Sequence, residues 1–455
     1  MLLSSVLDRF AQGSPVTVMV RGILENLLRP EKIDAIFEQT AVEQYTRQLL
    51  FSSVVDLMSL VVCKIRPSIH AAYQARQEKF GVTLTAIYNK INGLEPTVSS
   101  TLVRSTANDG AAAIDALRGG LPELLPGYRL RLLDGNHLPA TEHRLAELRR
   151  TRQGPLPGQT LVVLDPARML ISDLIPCEDG HAQERSLLEA VLQRVQQRDV
   201  WLGDRNFCTT RFLFGLAARS AYFIIRQHAS TLSIERSSRK RSRGRIDSGR
   251  VFEQRLRLRN GDATLVVRRV TLLLDEPTRD GDTKIHVLTN LPAAVRAGKV
   301  ATLYGKRWTI EGVFQELAQI LNSEISTLGY PKAALFAFAV AVLAYNVLSV
   351  AKAALRAGHG AEMIEEQVSD YQLATEVAAV WAGMDLIVPP KDWTAFQRAT
   401  AKQLAQTLRR LAAGVKLAAF RKHKRGPKKP RPPRKSGAKN HHVATARLLA
   451  RRTSP

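Results

Sequence analysis

Two aspartates, Asp134 and Asp204, each close a stretch of alternating apolar residues. Tyr128, Leu130 and Leu132 lead to the first, and Val200 and Leu202 lead to the second. Residues two apart on a strand share a face, so each carboxylate ends a face that is otherwise apolar. An ionised carboxylate there is costly unless a cation or several donors compensate it. Hard cations take carboxylate oxygens plus water, which makes Mg2+ the expected cofactor and Mn2+ its substitute. Two such ions roughly 3.5–4 Å apart stabilise both the attacking and the leaving oxygen of an in-line displacement, which is the chemistry of phosphodiesters. Taken singly, each aspartate also reads as a turn residue, because Asp134-Gly135-Asn136 and Asp204-Arg205-Asn206 both suit turns.

A third group joins them in Tyr304-Gly305-Lys306-Arg307-Trp308-Thr309-Ile310-Glu311. Tyr304, Arg307 and Glu311 recur at helical spacing, so one helix face presents a phenol, a guanidinium and a carboxylate. Arg307 can grip a phosphate with two hydrogen bonds while Glu311 serves the metal. Ile310, Val313, Phe314 and Leu317 supply the apolar face of the same helix, and without the two aspartates this would read as an ordinary amphipathic helix with a solvated Arg–Glu pair. Trp308 is expected in the helix core, stacking on a displaced base being the alternative. His137 reads as a loop histidine. Asp165 and Asp173 match turn or edge roles and stay outside the site.

In order, Leu133-Asp134-Gly135-Asn136, then Gly203-Asp204-Arg205-Asn206-Phe207, then Tyr304 to Phe314 resemble the bacterial insertion-sequence transposases of the DDE class, insertion-sequence-four type. Those carry a Tyr-x-x-Arg-x-x-x-Glu-(x)6-Lys signature. The likeness extends to the apolar helix ending Ala344-Tyr345-Asn346 and to the basic tail, from about residue 20 to the end. The resemblance implies metal binding and catalysis by Asp134, Asp204 and Glu311, and contacts from Tyr304 and Arg307 to phosphates at the transposon end. It implies water-driven cleavage at that end and attack of the freed 3′-hydroxyl on target DNA. The partners would be double-stranded DNA, as terminal inverted repeats and target, with two protomers pairing two ends. The family lysine falls on Ala318 here, with Gln315 and Gln319 the nearest polar residues. A DNA-binding relative without catalysis, and an RNase H-like nuclease without strand transfer, are the alternatives.

The elements that must position these groups change character along the chain. Residues 1–126 read as a helical, DNA-binding region. Within it Leu84 to Ile91, a turn at Asn92 to Glu95 and Pro96 to Val103 resemble a helix-turn-helix or two packed bundle helices. Residues 127–227 read as the first part of an α/β, RNase H-like mixed sheet with flanking helices. It comprises a strand to Asp134 with a turn at Gly135-Asn136, a hairpin of Thr160 to Asp165 and Met169 to Ile175, a helix over Glu184 to Val195, a strand to Asp204, a helix over Thr209 to Arg219, and a strand at Tyr222 to Arg226. Residues 228–300 read as a β-rich insertion that opens with the basic run Arg236 to Arg250, with hairpin turns at Asn260-Gly261 and Asp280-Gly281. Residues 301–414 return to helices and complete the catalytic core. Residues 415–455, rich in Lys, Arg, Pro and Gly, read as a disordered basic tail.

A net charge of +25 over 455 residues attracts polyanions, and the tail and insertion add phosphate affinity that is salt-sensitive and sequence-independent. Membrane is the weaker partner, because Ala333 to Val350, though apolar, is Ala-rich and broken by Tyr345, Asn346 and Ser349. Cys63, Cys177 and Cys208 lie far apart without His or Cys neighbours, against a disulfide framework or structural zinc. No basic, apolar, small-residue order opens the chain, so cytoplasmic residence is expected, near the nucleoid of a bacterial cell.

Overall fold

In the computed structural model residues 4–228, 231–278, 281–423, 426 and 441–453 are described. The first part is helical: α1 (Ser5–Gly13), α2 (Pro15–Leu27), α3 (Pro30–Thr40), α4 (Phe51–Val62), α5 (Ile69–Gln74), α6 (Gln77–Phe80), α7 (Leu84–Gly93) and α8 (Pro96–Leu117). Proline opens α2, α3 and α8, where its missing N–H costs nothing. Helix α8 runs on to Leu117 and is buried along its length by α13 (Pro331–His359) and by a strand of the sheet. That favours the bundle reading of residues 84–103 over a helix-turn-helix, whose second helix must be free to enter a groove.

A mixed α/β architecture follows, built on one large sheet. Its strands are β1 (Arg129–His137), β3 (Gln159–Asp165), β4 (Leu170–Cys177), β5 (Asp199–Gly203), β6 (Tyr222–Arg226), β7 (Ser233–Ser237), β8 (Arg241–Ile246), β9 (Gly249–Asn260), β10 (Ala263–Leu274) and β11 (Lys284–Thr289). Separate from it, β2 (Gly154–Leu156) pairs in parallel with β12 (His442–Ala444). The order is β4-β3-β1-β5-β6-β11-β10-β9-β7, with β8 also on β9. Strands β1, β5 and β6 are parallel neighbours, and every other pairing in this sheet is antiparallel. Residues 228–300 therefore widen the sheet edge-on, through the β6–β11 pairing.

Alternation sorts the two faces. Leu130 and Leu132 of β1, Val200 and Leu202 of β5, Ile224 of β6 and Val251 of β9 enter one core together with the helices. Leu133, Trp201, Phe223, Leu256 and Leu258 enter a second core on the opposite face, with Leu188, Val191 and Leu192 of α9 (Leu188–Leu192) and Phe212 and Leu216 of α10 (Thr210–Ala218).

The chain then forms α11 (Ala297–Gly305), α12 (Thr309–Gln319), α13, α14 (Ala361–Gln367), α15 (Asp370–Ile387), α16 (Thr394–Gln397) and α17 (Ala401–Ala413), and near its end α18 (Thr445–Thr453). Helix α13 is long and apolar enough to cross a membrane, and 94% of its most apolar window is buried inside this fold. Asn346, on that helix, exchanges two 2.9 Å hydrogen bonds with the backbone of Ile171 in β4, which satisfies its amide in the core. Helix α2 packs on α13, α15, α16 and α17, so helices from both ends of the chain share one core.

Several expectations need correction. Strand β1 does not turn at Gly135-Asn136: it continues to His137, pairing Asp134 with Val162, Gly135 with Leu161 and Asn136 with Thr160. The helix expected over 184–195 is a 3-10 turn at Glu184–Leu187 followed by the short α9. The β9–β10 hairpin closes with Gly261 and Asp262 between paired Asn260 and Ala263, and Gly261 adopts φ +59°. The turn at Asp280-Gly281 lies partly outside the described residues. A disordered tail does not hold over 441–453, where β12 adds to β2, Ala444 and Thr445 are buried, and Arg447 pairs with Asp179 at 2.8 Å. Charge composition alone missed this, because three backbone pairings and one ion pair need no long apolar run.

Candidate active site

Asp134 stands within β1 on the face that carries Leu130 and Leu132, and its carboxylate accepts from the N–H of Gly135 at 3.0 Å. Asp204 directly follows β5 and caps a 3-10 turn over Arg205–Phe207, accepting from the backbone N–H of Arg205. The parallel β1–β5 pairing, with Leu132 beside Leu202, brings the ends of the two apolar faces together.

Tyr304, Arg307 and Glu311 do not lie on one uninterrupted α-helix. Tyr304 lies in the last turn of α11, Arg307 sits in a 3-10 turn over Lys306–Trp308, and Glu311 is in the first turn of α12. Ile310, Val313 and Leu317 are buried as expected and seat α12 on the core. The Arg307 side chain is only 8% exposed. Its Nη1 donates to Oδ2 of Asp134 at 3.1 Å, and its Nη2 lies 3.2 Å from Oε1 of Glu311. The Nε is buried without a hydrogen-bond partner among the described residues.

Electrostatics tie Asp204 and Tyr304 to the same cluster. Burial pushes the Asp134 carboxyl up to about 6; Arg307 and the Gly135 N–H oppose that rise, while the charges of Asp204 and Glu184 add to it. Burial raises the Tyr304 phenol, with Asp204 reinforcing the rise and Arg307 opposing it. Burial works against the charge on Arg307, yet Tyr304, Asp134, Asp204 and Glu311 outweigh it and raise the guanidinium above its ordinary value. Arg307 thus links the other four residues singled out from sequence.

Sequence reasoning missed Glu184 and Arg226. A Cβ on Gly135 would collide with the Glu184 carboxylate, whose Oε2 accepts from Asn206 Nδ2 at 3.0 Å. Gly135, whose missing side chain would lie on the face opposite Asp134, therefore leaves room for the Glu184 carboxylate against β1 rather than making a turn. Arg226, at the end of β6, feels both Tyr304 and Asp204 and pairs with Asp282 at 2.7 Å. Neither position stands out in spacing; the Asp134-Gly135 pair was the single available signal. Trp308 departs from its expected core role: it is 59% exposed, with the Arg307 guanidinium 4.8 Å from its ring centroid. The 3-10 turn rotates it away from the apolar face.

The donor chemistry suits a hard divalent cation. Asp134, Asp204 and Glu311 offer only carboxylate oxygens, and burial raises the Asp134 carboxyl to about 6 against the pull of Arg307. In the arrangement described, Arg307 supplies the counter-charge, and no three His, Cys, Asp or Glu among the described residues are placed to hold one ion.

Residues 125–347 match the family model described as the Transposase DDE domain. That span holds all five residues of the cluster as well as Glu184 and Arg226. The match supports a DDE-type transposase; such domains generally use divalent metals and transposases generally bind DNA. No curated protein matches the chain.

Proposed function

We propose, from a match to the DDE transposase domain over residues 125–347, that this protein is an insertion-sequence transposase of the type with the Tyr-x-x-Arg-x-x-x-Glu signature, which cuts at transposon ends and joins the freed 3′-hydroxyl to target DNA. The observation that carries it is the bridge by Arg307 between Asp134 and Glu311, beside Asp204. In this reading β1 to β6 form an RNase H-like core and residues 228–300 an insertion into it. Asp134, Asp204 and Glu311 would hold magnesium-like ions, which would supply positive charge to the attacking and leaving oxygens.

The chain's own residues do the rest. Tyr304 and Arg307 would serve as hydrogen-bond donors to phosphates at the transposon end. Glu184 holds Asn206, and with it the turn that carries Asp204. Apolar packing under β1, β5 and α12 fixes the carboxylates and limits reorganisation during the reaction. No covalent enzyme intermediate is needed. Two copies would pair two ends, at the nucleoid in the cytoplasm.

Ala318 favours a second reading, a relative that binds DNA without cutting it, since the signature lysine is missing from an exposed position of α12. Incubation of the protein with Mg2+, a linear donor bearing the element's ends and a supercoiled target separates the readings. The transposase yields joined donor–target products that vanish in Asp204→Ala. Cutting without joining leaves a nuclease, and neither activity leaves the binder.

A further inference from the structure

The parity of β9 places an exposed row of arginines on the same sheet face as the carboxylates. Its even residues Leu256 and Leu258 pack with Leu133 and Phe223 in one core. Its odd residue Val251 belongs to the other core, on the sheet face that further along the sheet carries Leu132, Leu202 and Asp134. Arg255, Arg257 and Arg259 continue the odd series and are all exposed. Helix α11 crosses this face over β6, β11, β10 and β9 on its way to the site. Its outer side carries Lys299, with Arg296 just before its first turn and Lys306 just after its last, again all exposed.

The two rows meet at a defined point. Arg268 is the cross-strand partner of Arg255, and its Nη2 donates to the carbonyl of Val295 at 2.8 Å, next to Arg296. Arg268 itself is buried and bound to Glu253 at 2.6 Å, so the acid beneath the band is satisfied internally. None of the six exposed cations forms an ion pair among the described residues. A stretch of cations without acidic partners among the described residues, on one side of a site that begins with Arg307, complements a polyanion.

We infer that Lys306, Lys299, Arg296, Arg255, Arg257 and Arg259 form a track for the phosphates of the duplex whose end occupies the carboxylate cluster. Ten residues of helix span about 15 Å, and four residues of strand about 14 Å. Because α11 crosses β6, β11, β10 and β9, the two runs meet at a steep angle near Arg296 and Arg255, and the ends of the bent track lie roughly 20 Å apart. The track sets the distance from the cut to the outer sheet and reads no base. This rests on the transposase reading for the location of the DNA end, while binding along the track is measured without any cutting.

The test is binding of the full chain to a random-sequence 30-base-pair duplex over a range of salt, without divalent metal. Each phosphate contact contributes about 0.9 to the slope of log K against log salt. The triple variant Arg255→Ser, Arg257→Ser, Arg259→Ser is expected to lower that slope by about 2–3 and to weaken binding more than tenfold at moderate salt. Lys299→Gln with Lys306→Gln is expected to lower it by about 2. Thermal unfolding checks that these exposed positions leave the fold intact. An equal drop in a control triple after α16 and on α17, Arg398→Ser, Lys402→Ser and Arg410→Ser, would reduce the effect to net charge and overturn the inference. An unchanged slope in the β9 triple would overturn it too. Loss of cutting with an intact slope difference would defeat the catalytic reading alone.

Discussion

Arg307 and Asp134 lie 173 positions apart in the chain, yet Nη1 of one sits 3.1 Å from Oδ2 of the other in a largely buried ion pair. Breaking a buried pair from one side strands the remaining charge. Arg307→Ala is therefore expected to lower stability by about 3 kcal/mol, measured by chemical unfolding at pH 7, with Asp134→Asn in the same chain recovering most of the loss. Arg307→Lys keeps a charge but cannot reach two carboxylates and a phosphate at once, so cutting should fall at least about a hundredfold. If Arg307→Ala proves as stable as the parent, the pair contributes nothing to the fold.

Glu316 supplies a pH dependence. It lies in a polar cavity between α12 and α13 with Tyr345, Lys352, Arg356, Glu365, Asp370 and Lys422. Burial raises its carboxyl to about 7, Asp370 and Glu365 adding to the rise and Lys352 and Lys422 opposing it. Lys352 is 3.0 Å from Asp370, so its charge is already shared. A raised carboxyl binds its proton more tightly in the folded state. The stability this contributes is complete below the ordinary value of 4.5 and is lost as pH climbs to about 7. Glu316→Gln should remove that decline, so that the variant exceeds the parent by on the order of 2 kcal/mol at pH 8 and matches it at pH 4. Parallel pH profiles for the two proteins would refute the assignment.

Ala318 is exposed on α12, so Ala318→Lys restores the signature without disturbing the core. We expect unchanged thermal stability and a several-fold gain in cutting at transposon ends, read in a nicking assay at fixed Mg2+. A chain that already meets that phosphate by another route would show no gain.

The sequence displayed the two aspartates because a carboxylate after an alternating apolar run is conspicuous, and Glu311 because Tyr304 and Arg307 precede it at helical spacing. It did not display the 3-10 turn that exposes Trp308, since three residues of tighter winding leave no compositional trace. Glu184 escaped notice because its place against β1 depends on the missing side chain of Gly135, far earlier in the chain. The parallel order of β1, β5 and β6 was implicit in the strand and helix alternation, whereas the edge-on attachment of residues 228–300 arises from long-range pairing that periodicity does not encode.

The C-terminal return offers another check. Three pairings to β2 and the contact between Arg447 and Asp179 anchor residues 441–453. Amides of His442 to Ala444 should exchange with deuterium more slowly than those of an unfolded peptide, and Ala444→Asp should abolish that protection and lower stability by about 1–2 kcal/mol through burial of an unpaired charge. Free exchange in the parent would contradict the pairing.

The claim on which the catalytic account turns is that Asp134, Asp204 and Glu311 take up divalent ions together. Calorimetric titration of Mn2+ into the full chain measures this without any DNA. The account predicts saturable binding that each of Asp134→Asn, Asp204→Asn and Glu311→Gln weakens at least tenfold, while the exposed Glu142→Gln leaves it unchanged. Binding that survives all three substitutions would contradict it.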